Sequence, residues 1–131
     1  VRLRNQARSR MIMKIKTKDL IGAALDWAVS KADNPTGKEG DIDWWERNAE
    51  GLLYDPLNEC TYSPSTDWKH GGPIIEQEGI QLHVNELRTE WLGSCWEYPN
   101  CQYGPTPLVA AMRCFVAHKL GDEIEIPEEL C

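Results

Sequence analysis

The chain has 131 residues, 41% hydrophobic and 27% charged, with 14 Lys+Arg against 21 Asp+Glu and a formal charge of −7 at neutral pH. A chain of that size and apolar content buries one core unaided, which excludes disorder of the whole. No uncharged apolar run approaches the ~20 residues of a spanning helix and the basic start lacks a signal peptide's apolar stretch, so a cytoplasmic protein without a membrane partner is expected.

Residues 1–18 carry seven of the Lys+Arg and no acid, leaving the remainder at −14. Such a body repels phosphate backbones, so duplex DNA is not expected as a partner of the acidic body. The first twelve residues, VRLRNQARSRMI, show no periodicity and begin with Val1 rather than methionine. They read as a disordered basic extension ahead of one domain over 13–131. From Met13 to Lys16 apolar and basic residues alternate as in a strand, and Thr17 stands where an N-cap belongs. Leu20, Ala24, Trp27 and Ala28 with Ile21, Leu25 and Ala32 then predict an amphipathic helix over 19–32. Asp33-Asn34-Pro35-Thr36-Gly37 stops it, and 38–51 reads as a loop or poor strand carrying Trp44 and Trp45.

Leu52-Leu53-Tyr54 predicts a short strand closed by Asp55-Pro56. After the loop-like stretch 62–73, Ile74 to Glu78 predicts a short helix with Pro73 at its first position and Gly79 as its stop. Alternation at Ile80, Leu82 and Val84 predicts a strand, and 90–98 another, with a turn at Pro99-Asn100. Thr106 and Pro107 open the clearest helix. Its apolar positions are Leu108, Val109, Met112, Phe115, Val116 and Leu120, and Gly121 ends it. The tail from Ile124 to Glu129 predicts an acidic strand or arm. Two main amphipathic helices and one short helix on a small, mostly antiparallel sheet make an α+β domain.

The loop 63–73 places Tyr62 and Trp68 among residues that favour solvent. Ser65, Thr66 and Asp67 supply caps or polar groups, Gly71 and Gly72 let backbone approach closely, and a helix opened by Pro73 would present free N–H groups to an anion. Tyr103 and Thr106 form a second rigid helix start, and Arg113 lies two turns into that helix. Pro73 apart, these ten residues outline a pocket in which Trp68 stacks on a ring and the helix starts hold phosphate. The plainer alternative is a packed Ω-loop, ordinary capping, and Arg113 paired with Asp67 or Glu76.

Cys114 and His118 share a helix face and Cys95 precedes Cys101 by six, but neither pair has the spacing of a structural zinc site. Cys114 reads as core, His118 as surface, and no metal is expected. Five cysteines without a secretory signal read as reduced thiols. There is no nucleophile elbow, Walker loop or paired-histidine motif; Asp67, Glu76 and His70 would form an acid-base cluster only through folding. No cofactor is expected, and the reading leans away from an enzyme.

The blocks MKIKTKDLIGAALDWAV (13–29), LLYDP (52–56), YSPSTDW (62–68), GGPIIEQEGI (71–80) and YGPTPLVAAMRCFVAHKLGDEIEIPEEL (103–130) resemble the NinX-like family of small lambdoid-phage and prophage proteins. The stretch 33–51 follows the family pattern less closely. The resemblance implies a phage accessory protein of unknown function in the bacterial host cytoplasm, and it carries over no catalytic residue. The function expected is non-catalytic binding of a small nucleotide-like ligand with a counter-defence role; the alternatives are a protein–protein interaction module acting on a host factor and, second, an enzyme on a nucleotide substrate. An oligomer is compatible with each.

Overall fold

The computed structural model describes residues 12–33, 54–55, 60–95 and 98–130. Strand β1 (Ile12–Lys16) pairs antiparallel with β7 (Glu123–Pro127), setting Lys14 opposite Glu125 and Lys16 opposite Glu123. The basic start of the domain thus lies on its acidic tail. Thr17 does not cap a helix as expected. It opens a 3-10 turn (Thr17–Asp19), is buried, and donates its hydroxyl to the Gly121 carbonyl at 2.6 Å, so its side chain is committed to a distant segment. The chain stays extended at Leu20, and α1 begins later, at Gly22–Asp33.

Strands β2 (Tyr54–Asp55) and β3 (Cys60–Thr61) form a small antiparallel pair. Helix α2 (Trp68–Glu78) follows, ended by Gly79 in the left-handed conformation at φ 66, where a side chain would strain the backbone. Strands β4 (Gln81–Val84), β5 (Trp91–Cys95) and β6 (Tyr98–Gly104) make a three-stranded antiparallel sheet in the order β4-β5-β6. The turn expected at Pro99-Asn100 is not there, because both residues lie within β6, whose first residue, Tyr98, already pairs with Cys95 of β5. Being an edge strand, β6 tolerates a proline that lacks an N–H. Trp44, Trp45, Trp96 and the basic extension through Met11 lie outside the described residues.

Helix α3 (Pro107–Leu120) starts at the Thr106 cap as expected, with Oγ1 accepting the Val109 N–H at 3.1 Å, and Gly121 ends it. Nearly every residue from Leu108 to Ala117 is buried, since α3 packs on the sheet and also on α1. Gly93 and Gly104 make the sheet contact possible. A β-carbon on Gly93 would lie 2.7 Å from the Ala110 carbonyl oxygen, and one on Gly104 2.6 Å from the Ala110 nitrogen. Leu25, Ala28 and Val29 from α1 join Met112, Phe115, Val116 and Ile126 in the core. The architecture is α+β, as the sequence predicts, with its strands divided among separate small sheets rather than one.

Candidate functional site

The turn before α2 is built by its own backbone. The Ser63 carbonyl accepts the N–H groups of Thr66 at 3.1 Å and Asp67 at 2.8 Å, folding Pro64 and Ser65 inward. Asp67 is extended, as an N-cap requires, and its carboxylate accepts the Lys69 N–H at 2.9 Å. Asp67 therefore starts α2 at Trp68. The expected helix start at Pro73 is overturned: Gly71, Gly72 and Pro73 lie inside the helix. A carboxylate, not open N–H groups, occupies the true N-terminus.

Beneath this turn lies a buried polar knot. Asp26, on α1 and only 8% exposed, accepts the Ser65 backbone N–H at 2.8 Å. Burial pushes the Asp26 carboxyl from its ordinary 3.8 up to about 6, opposed by the hydrogen bond from Ser65 and the charge of His70. The Ser65 hydroxyl is close enough to that carboxyl to favour its charged form, yet it makes no well-aligned hydrogen bond. His70 is also 8% exposed; its Nδ1 accepts the Ser63 N–H at 3.2 Å, and its ring lies 4.9 Å from that of the buried Tyr62. Asp67 Oδ2 stands 3.8 Å from the same Nδ1. Glu76, the third member of the cluster considered from sequence, is exposed on α2.

The two glycines of α2 differ. A β-carbon on Gly71 would come within 2.5 Å of the Pro64 carbonyl oxygen and 2.6 Å of a Leu108 methyl, whereas one on Gly72 would meet nothing within 4 Å. Gly71 thus lets α2 close simultaneously on the turn and on the start of α3. The two helix starts do adjoin. Trp68 projects from this corner 55% exposed, beside exposed Thr66 and Lys69.

Tyr103 and Arg113 are arranged differently from the expected pocket. Tyr103 is in register with Leu92, and Leu92 with His83, in the row between those of Gly93 and Gly104, which face α3. Its ring, 50% exposed, therefore belongs to the outer face of the sheet rather than to the α2–α3 corner. Arg113 pairs with neither Asp67 nor Glu76. Its Nε donates to the Leu20 carbonyl at 2.8 Å and its Nη1 to the Tyr103 carbonyl at 2.7 Å, tying the approach to α1 onto β6. Burial lowers the Arg113 pKa, and Asp19 opposes the shift.

Elsewhere among the described residues the surface opens into hollows. One of about 250 Å³ lies on the outer sheet face by His83, Glu90, Leu92 and Tyr103; another of about 390 Å³ lies at the end of the β1–β7 ribbon. Trp68 lines neither. Cys114 is buried and His118 exposed, and no group of three metal-ligating side chains occurs among the described residues. No helix among those residues is long and apolar enough to cross a membrane.

Sequence reasoning missed Asp26. Its signal was a carboxylate on the helix face shared with Leu25 and Val29, where an acid needs a partner; that partner lies 39 residues away. The family model described as Bacteriophage P22, NinX matches residues 16–119, a span that includes Asp26, the turn, α2 and the start of α3. No curated protein matches the chain.

Proposed function

The chain belongs to the family described as Bacteriophage P22, NinX, and from that premise we propose that it is a non-catalytic interaction module that docks on a host protein through Trp68. The observation that carries this reading is the contrast between the tryptophan and its support. Trp68 is 55% exposed, yet the turn before it is pinned from below by Asp26 and His70. A large rigid ring held out by a fixed backbone loses little conformational entropy on binding, which is what interface hot spots require.

The chemistry around Trp68 supports docking over phosphate binding. The Asp67 carboxylate sits on the N-terminus of α2, where it repels a second anion, and Arg113 is spent on two main-chain carbonyls. Asp26, Ser65 and His70 are each at least nine-tenths buried, which keeps that trio away from any substrate and supports a non-catalytic role. The acidic body favours a partner with a basic surface.

The test compares the wild-type chain with Trp68→Ala as bait in lysate from the bacterial host. Docking predicts a stoichiometric partner retained by the wild type and lost by the variant, with matching thermal melts for both baits. Equal capture by both refutes the role of Trp68. The small-ligand reading retains the stacking surface at Trp68, and a nucleotide panel in the same melts separates it. A ligand at 100 times its Kd stabilises by about 2.7 kcal/mol, and such a shift, abolished by Trp68→Ala, would replace docking with nucleotide binding.

A further inference from the structure

The end of the β1–β7 ribbon is closed by Thr17, whose N–H donates to the Asp122 carbonyl at 2.8 Å and whose hydroxyl donates to the Gly121 carbonyl at 2.6 Å. These bonds bury Thr17, while its neighbours Lys16 and Lys18 are exposed and Lys16 stands opposite Glu123 at the acidic start of β7. The hollow of about 390 Å³ at this closure is lined by Lys16, Lys18, Gln102, Asp122 and Glu123. That volume falls within the range of small-molecule sites, roughly 300–1,000 Å³.

Two features set this hollow apart from an ordinary charged surface. Lys16 and Glu123 are direct cross-strand neighbours, yet among the described residues neither they nor Lys18 and Asp122 form an ion pair. Beside them, the Gln102 side-chain oxygen is buried and accepts no hydrogen bond. A buried carbonyl without a donor is rare in folded proteins and calls for a bound donor. Gln102 is held in place by β6, in register with Gly93 where the sheet meets α3.

We propose that this hollow binds a small zwitterion of the free α-amino acid class. The ligand carboxylate lies between the Lys16 and Lys18 ammonium groups; its ammonium faces Asp122 and Glu123 and donates to Gln102 Oε1. Charge makes the choice. A simple anion would meet two carboxylates and a simple cation two lysines, whereas a molecule bearing both signs can answer both charges of the lining and the orphaned oxygen together. The site is separate from the Trp68 corner and does not depend on the docking reading.

The experiment is an NMR titration of the isotope-labelled full chain with each proteinogenic amino acid up to about 10 mM, an affinity range set by the weakness of exposed ion pairs. At least one amino acid is expected to give saturable shifts confined to residues 16–18, 102 and 122–123. Gln102→Leu should weaken that binding about tenfold and Lys18→Ala about two- to fivefold, and the matching des-amino acid and decarboxylated amine should fail to bind. Lys18→Ala decides the matter alone should Gln102→Leu not fold. No saturable binding by any amino acid would mean that water serves Gln102, overturning the proposal. Binding indifferent to both variants, or equally strong for a singly charged analogue, would overturn it too.

Discussion

Replacing Asp26 by asparagine removes a charge that the fold holds at a loss. Its carboxyl titrates near 6 when folded against an ordinary 3.8, and each unit of that difference is worth about 1.4 kcal/mol, so ionised Asp26 opposes folding by about 3 kcal/mol at neutral pH. The sign follows from proton counts. Between the two values the folded chain keeps a proton that the unfolded chain has lost, so the contribution is fully present below about pH 4 and is lost as pH rises through about 6. Lowering the pH from 7 to 5 should therefore return about 1 kcal/mol through this group. Asparagine retains an oxygen able to accept the Ser65 N–H, now at 2.8 Å from the carboxylate, so Asp26→Asn should be more stable than wild type by about 1–3 kcal/mol at pH 7. The two proteins should converge towards pH 4. Urea unfolding followed by tryptophan fluorescence at pH 4, 5 and 7 measures both quantities. Asp26→Ala, which leaves the Ser65 N–H without an acceptor, should lose about 1–3 kcal/mol relative to Asp26→Asn. A variant Asp26→Asn that is destabilised at pH 7 by an amount independent of pH would refute the reasoning, showing the carboxylate to be a net support rather than a desolvated charge.

The two glycines of α2 should respond oppositely. Gly71→Ala forces a β-carbon against Pro64 and Leu108 and should lower stability by about 1–3 kcal/mol, while Gly72→Ala enters open space and should raise it by up to about 1 kcal/mol through helix propensity; thermal melts compare them directly. Arg113→Lys should lose about 1–3 kcal/mol, because one ammonium cannot reproduce the fork that reaches both Leu20 and Tyr103, and the loss should appear as faster amide exchange at the carbonyl-bearing segments around both residues.

What could be read from the sequence follows the range of the interactions involved. Helix α3 is legible because its cap at Thr106, its proline at 107, its apolar stripe and its stop at Gly121 all lie within one window. The start of α2 is not, since Gly71-Gly72-Pro73 resembles a helix breaker when weighed by propensity alone. Only the packing of Gly71 on Leu108, 37 positions along the chain, shows why a glycine belongs there. Arg113 is harder still. Its acceptors are main-chain carbonyls, which every residue has, so no side-chain pattern could have pointed to Leu20 or Tyr103. The half-exposed Trp68 was legible as an aromatic among loop residues, but its helical setting was not, because Asp67 rather than Pro73 begins the helix.

The corner around Trp68 concentrates the local rules that this chain breaks. A carboxylate is buried where a neutral acceptor would serve, two adjacent glycines and a proline weaken α2, and a large ring is left in water. Each departure opposes stability on its own, yet three of them have one geometric consequence. Asp26 draws the turn down onto α1, Gly71 lets α2 close on that turn and on α3, and Trp68 is left projecting beside a turn held by those contacts. Natural sequences keep costly local choices mainly where function requires them. The β4–β6 face of α3 offers the contrast: Gly93 and Gly104 there also admit close backbone approach, but they pack an apolar layer, and the half-exposed Tyr103 beside them has no buried carboxylate holding its backbone from below. Glycine at a tight contact is thus ordinary in this fold. Its combination with a desolvated carboxylate beneath and an exposed tryptophan above is found at the α2 corner, and the docking proposal rests on that combination.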